Sequence, residues 1–97
     1  MSTDLSRRPR FDLDTAWALS PQVSVRPERF GALLYHFGTR RLSFLKSPVL
    51  RTVVEGLGEH DTARGACLAA GVAPEELPRY QAALATLAGS HMIGERS

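Results

Sequence analysis

The chain is poor in cysteine: of 97 residues, Cys67 alone carries a thiol. One cysteine excludes an internal disulfide and a CxxC motif, and it fits a reducing cytoplasm, the compartment expected for this protein. Long apolar runs are missing too, and none approaches the roughly 20 residues that a membrane-spanning helix needs. Met1–Arg10 is polar and charged, so a signal-peptide core is not expected there. Asp4, Asp12 and Asp14 interrupt the basic residues in a way a mitochondrial presequence would not. Lysine is nearly absent: eleven of the twelve basic residues are arginine, Lys46 being the exception. No GxSxG, P-loop, GxGxxG or HExxH occurs, and the carboxylates are scattered. His36, His60 and His91 fall on a strand, a loop and a post-helical turn, none at metal-ligand spacing with a second ligand. The expectation is therefore a protein that is not an enzyme and holds no metal or cofactor.

What is present is a polarised small domain. The length suits one domain with marginal stability. Between Arg26 and Arg51 lie six basic residues (Arg26, Arg29, Arg40, Arg41, Lys46, Arg51) and one acid, Glu28. From Glu55 to Glu95 six acids (Glu55, Glu59, Asp61, Glu75, Glu76, Glu95) face only Arg64 and Arg79. The first half should attract an acidic partner. Arginine suits bidentate contacts with carboxylates better than lysine does.

Met1–Ser20 lacks a sustained period and reads as a mobile arm, with Trp17 and Leu19 anchoring its end on a domain over 21–97. Val23 and Val25 alternate with polar neighbours in a strand over Gln22–Arg26, and Pro27 marks it as an edge. Ala32–Phe37 is apolar on both faces, which predicts a central, covered strand. Gly38-Thr39 is a hairpin signal with Gly38 free to take positive φ, and Arg41–Lys46 is the third strand.

Ser47-Pro48 is a strong helix start, and Val49, Leu50, Val53, Val54 and Leu57 share one helical stripe. Asp61 or Thr62 caps a second helix to about Ala70, with Ala63, Ala66, Cys67 and Ala70 as its close-packing face. After a turn over Pro74–Leu77, a third helix runs from Pro78 to Gly89. Met92–Ile93 is expected to pack back on the domain. Gly89-Ser90-His91-Met92 resembles a cloning scar, but its internal position and apolar ending mark it as native.

The resulting fold class is α+β and winged helix-turn-helix-like: a three-stranded antiparallel sheet followed by three helices. That topology raises a DNA-binding regulator as the alternative function. The third helix, however, offers only Arg79 and Gln81 and follows Glu75 and Glu76, so it would repel phosphates. Nucleic acid and membrane are thus not the expected partners. The positive charge lies on the strands, and peptide binding by strand addition fits it better. The third strand has a free edge, bracketed by Arg40, Arg41 and Lys46, with Tyr80, Ala83, Leu84 and Leu87 as the opposite wall. An exposed edge also permits weak edge-paired dimers beside the monomer.

The stretch Arg26–Pro48, RPERFGALLYHFGTRRLSFLKSP, resembles the PqqD-like RiPP recognition elements, and among them most closely the mycofactocin peptide-chaperone family. The similarity continues through Leu57, the AGV at Ala70–Val72, and LPRYQAAL at Leu77–Leu84. The resemblance implies an accessory protein without catalysis of its own. It would bind the acidic leader of the mycofactocin precursor peptide and present it to a radical S-adenosylmethionine maturase. That enzyme modifies the precursor's C-terminal Val-Tyr. In the family the leader lies antiparallel to the third strand and against the third helix. Carried over, those positions are Arg41, Leu42, Ser43, Phe44 and Leu45 on the strand and Arg79 to Leu87 on the helix. The expected peptide-binding set is Arg40 through Lys46 together with Arg79, Tyr80, Ala83, Leu84 and Leu87.

Overall fold

The computed structural model describes residues 11–96. Its main sheet is an antiparallel meander of β2 (Val23–Glu28), β3 (Gly31–His36) and β4 (Leu42–Leu45), in the spatial order β2-β3-β4. Three helices follow: α1 (Pro48–Gly56), α2 (Ala63–Ala69) and α3 (Leu77–Gly89). A second sheet pairs β1 (Trp17–Leu19) with β5 (Ile93–Glu95), near the two ends of the chain. The α+β class and the order of three strands then three helices match the sequence reading.

Local chemistry explains most of these boundaries. Gly31 opens β3 because a Cβ there would sit 1.7 Å from the Leu45 carbonyl oxygen; only glycine lets β4 come this close. Ser47 caps α1, its Oγ accepting from the Val49 and Leu50 N–H groups at 3.1 and 3.2 Å, and Pro48 occupies the first turn. Thr62 caps α2 through Gly65 N–H, at 3.0 Å. Gly71 ends it at φ 95°, a left-handed position where glycine is unstrained. Pro74–Glu76 forms a separate 3-10 turn, which leaves Pro78 in the first turn of α3, where its missing N–H breaks no bond.

One face of the sheet carries Ala32, Leu34 and Leu45 into a core completed by Val53, Val54, Leu57, Cys67, Leu84, Leu87 and Met92. Cys67 is fully buried among apolar neighbours, which pushes its thiol up from the ordinary value, while Arg64 pulls weakly the other way. It is a packing residue.

Three features differ from the sequence reading. First, Phe11–Ser20 of the expected arm packs on the domain: Leu13 is buried there, and Trp17 is the buried anchor it is expected to be; Met1–Arg10 lies outside the described residues. The cause is backbone pairing over long sequence separations. Leu13 and Thr15 carbonyls accept from the first amides of α2, Arg64 at 2.8 Å and Ala63 at 3.0 Å, satisfying groups that a helix start leaves open. The Trp17 indole N–H donates to the Thr15 hydroxyl and the Asp12 carbonyl. Arg64 grips Asp14 with two hydrogen bonds, which lowers the Asp14 carboxyl from its usual range. Met92 and Ile93 do pack back, and β5 holds β1.

Second, the left-handed residue of the β3–β4 hairpin is Arg40, at φ 65°, not Gly38. Arg40 N–H reaches back to the His36 carbonyl at 2.7 Å, closing a wider turn than Gly38-Thr39 alone would make. The buried His36 ring organises it: its Nδ1 accepts from the Gly38 and Thr39 N–H groups, both at 3.0 Å. Third, β3 is central but covered on one face only. Phe37, Leu42 and Phe44 are 59%, 61% and 50% exposed on or beside the other.

Candidate peptide-binding groove

The two edges of the main sheet are not equivalent, and backbone alternation shows why. His36 N–H donates to the Arg41 carbonyl at 3.0 Å, which makes this a bonded position of the ladder, although the Arg41 N–H turns to the Thr39 hydroxyl and the His36 carbonyl accepts from Arg40. In an antiparallel pair such positions alternate. In the observed register Leu34 opposes Ser43 and Ala32 opposes Leu45 at the bonded positions. The N–H and C=O groups of Leu42 and Phe44 therefore point away from β3, along the free edge. Among the described residues no turn, loop or cap bond engages them.

The same logic applied to β2 starts from Phe37 N–H, which donates to the Gln22 carbonyl at 2.8 Å. Val23, Val25 and Pro27 then face outward. Val23 N–H is already bound to the Ser20 carbonyl at 3.0 Å, and Pro27 has no N–H to offer. This edge is blunted and the β4 edge is not.

Beside the open edge runs a depression of about 340 Å³ lined by Ser43, Phe44, Leu45, Leu50, Ala83, Thr86 and Leu87. It continues into a smaller one of about 150 Å³ lined by Ser47, Leu50, Arg79, Tyr80 and Ala83. The floor is apolar, one wall is the edge of β4 and the other is α3. Larger hollows of about 410 and 420 Å³ lie around the β1–β5 pair, where the strands already use each other's backbone.

Most residues expected at a site are brought together here. Ser43, Phe44, Leu45, Arg79, Tyr80, Ala83 and Leu87 line the groove. Leu42 supplies edge backbone while its side chain stands exposed on the outer face. Arg40 and Arg41 sit exposed in the hairpin at one end of β4 and Lys46 at the other. The ion pairs among the described residues are Arg51–Glu55 and Arg64–Asp14, so none of these three is neutralised by an acid there. Leu84 is fully buried and supports the wall from beneath.

Ser47, Leu50 and Thr86 were not anticipated. Leu50 belongs to the apolar stripe of α1, and its partial exposure depends on where α3 lies, which local periodicity does not report. Among the described residues, no group of three or more His, Cys, Asp or Glu side chains is placed to hold a metal ion. Nor is any described helix long and apolar enough to cross a membrane.

Comparison with known proteins identifies the family. The model of the Peptide chaperone MftB family matches residues 16–94. A Mycobacterium ulcerans protein named peptide chaperone MftB is 58% identical over 83 residues, covering 86% of this chain and 76% of its own length. Its Mycolicibacterium smegmatis namesake is 52% identical over 93 residues, covering 96% and 91%. The Mycobacterium tuberculosis one is 54% identical over 86 residues, covering 89% and 79%. No solved structure gives a significant match. The chain thus belongs to the peptide chaperone MftB family.

Proposed function

We propose that this protein binds the acidic leader of the mycofactocin precursor peptide by strand addition and presents it to a radical S-adenosylmethionine maturase. As a member of a peptide-chaperone family it is not an enzyme. The observation that carries the reading is the outward backbone of Leu42 and Phe44, unpaired among the described residues, above an apolar groove. A peptide running antiparallel to β4 would exchange hydrogen bonds with these two residues. Its residues opposite Ser43 and Leu45 would drop alternate side chains toward Leu50, Ala83 and Leu87. Arg40, Arg41 and Lys46 steer an acidic segment to the edge and hold its register.

Micromolar affinity corresponds to about −8 kcal/mol, which a few backbone bonds and two or three apolar anchors supply after ordering costs. Catalysis belongs to the enzyme; the chaperone contributes by holding the leader while the C-terminus enters the active site. The protein acts in the cytoplasm as a monomer, with edge-paired dimers at most weak.

Titration with the synthetic leader, followed by calorimetry, tests the reading. Saturable binding at micromolar concentrations is expected. Absence of binding to the leader, both alone and with the maturase present, overturns it.

A further inference from the structure

The groove uses the edge and the buried face of the sheet, and leaves the outer face unexplained. Alternation places Leu33 and Tyr35 on that face of β3, with Phe37 just past its end against Tyr35, Leu42 and Phe44 on β4, and Ser24 and Arg26 on β2. A group of large apolar side chains on one exposed face is a mark of an interaction site. Here it is also ordered. The Tyr35 and Phe37 rings pack edge to face, 5.3 Å apart at 81°. Beside them Ser24, Arg26, Leu33, Tyr35 and Leu42 line a shallow depression of about 290 Å³, large enough to seat a partner's anchor side chain.

The charges on this face are chiefly positive. Arg26 lies directly across from Leu33, Lys46 continues the same side of β4, and Glu28 is confined to the end of β2. Neither Arg26 nor Lys46 pairs with an acid among the described residues.

We infer that this outer face docks a folded protein with an apolar centre and an acidic rim: the enzyme to which the leader is presented. The identity of that enzyme rests on the proposed function. A second copy of this chain fits less well, because isologous pairing would set the Arg26 and Lys46 faces against each other. A lipid surface would accept the charge, but it makes no use of a fixed depression or a packed aromatic pair. Continuity with the groove supports the enzyme further. Leader residues opposite Leu42 and Phe44 place their side chains on this same face, beside Leu42 and Phe44 themselves. The loaded chaperone therefore offers a wider docking surface than the empty one. Leader and enzyme should raise each other's affinity by the same factor.

The full-length double variant Tyr35→Ser/Phe37→Ser tests this, since neither side chain lines the groove. Its circular dichroism and leader affinity, the latter within about threefold, should match the parent. Its affinity for the purified maturase, measured with leader present, should fall about tenfold or more. Arg26→Glu should weaken maturase binding several-fold and reduce its salt dependence. Unchanged maturase affinity in both variants overturns the inference. So does a parent homodimer that the double variant disperses in sedimentation, or parent binding to phosphatidylglycerol vesicles that the double variant loses. Failure of the parent to bind leader would remove the proposed function instead. Maturase binding without leader would then decide the docking face on its own, loss in the double variant supporting it and no loss refuting it.

Discussion

The β2 and β4 edges of one three-stranded sheet face opposite fates. At β2 the outward groups are those of Val23, Val25 and Pro27, one already bound to Ser20 and one lacking its N–H. At β4 the outward groups of Leu42 and Phe44 meet no loop or cap partner among the described residues, beside an apolar groove and cationic side chains that no described acid pairs. An exposed edge invites adventitious pairing, and a fold that blunts one edge while leaving the other bare marks the bare one for use. The difference turns on single residues, so it can be reversed by them.

The largest effect should come from closing the open edge. In Phe44→Pro the lost N–H is an outward one, so the ladder to β3 survives and stability changes by less than about 1 kcal/mol. Leader affinity should fall about tenfold or more, as measured by calorimetry. Ser43→Pro, one position away, removes an inward N–H facing Leu34. It should destabilise the fold by about 1–3 kcal/mol in urea melts, because a buried carbonyl is left unpaired. The contrast between neighbouring prolines is the signature of the alternation.

Next in size is the charge around the edge. Arg40→Glu/Arg41→Glu should weaken leader binding several-fold at low salt and flatten its salt dependence, with little change in melting temperature. Opening the blunted edge should be a smaller effect. Pro27→Val restores an outward N–H, and concentration-dependent self-association is expected in sedimentation, without gain in leader affinity.

Much of this contrast was legible in the sequence. Pro27 announced an edge, the Arg40–Lys46 cluster announced charge, and Ser47-Pro48 fixed the start of α1 to the residue. These signals are local, and the structure realises them locally. What stayed hidden was the pairing of Trp17–Leu19 with Ile93–Glu95: three-residue strands have no usable period, and their partners are nearly the whole chain apart. Arg40 was missed as the left-handed residue because Gly38 is the stronger turn signal. It took the His36 ring, bound to two turn amides, to shift the geometry by two residues. The groove's Leu50 was hidden for a related reason, since exposure at a half-buried helix position is decided by a neighbour far along the chain.

The smallest effect expected lies on the closed side of the molecule. Asp14 is held below the ordinary carboxylate range by its hydrogen bonds from Arg64, so it binds fewer protons folded than unfolded. Its contribution is present above the unfolded pKa and disappears as pH falls through the lowered folded value. Asp14→Asn should therefore lower the melting temperature slightly at neutral pH, and the difference from the parent should vanish in acid. Because the pair lies at the solvent-accessible surface, the effect should be small, and leader binding should not respond.

Amide hydrogen exchange with and without saturating leader, read residue by residue by NMR, tests the open-edge account most directly. In the free protein the Leu42 and Phe44 amides should exchange rapidly while Ser43 and Leu45 are protected by β3. Leader should protect Leu42 and Phe44 and leave Val25 on the opposite edge unchanged. Protection gained at Val25 or along the β1–β5 pair, with Leu42 and Phe44 still exchanging freely, would contradict it.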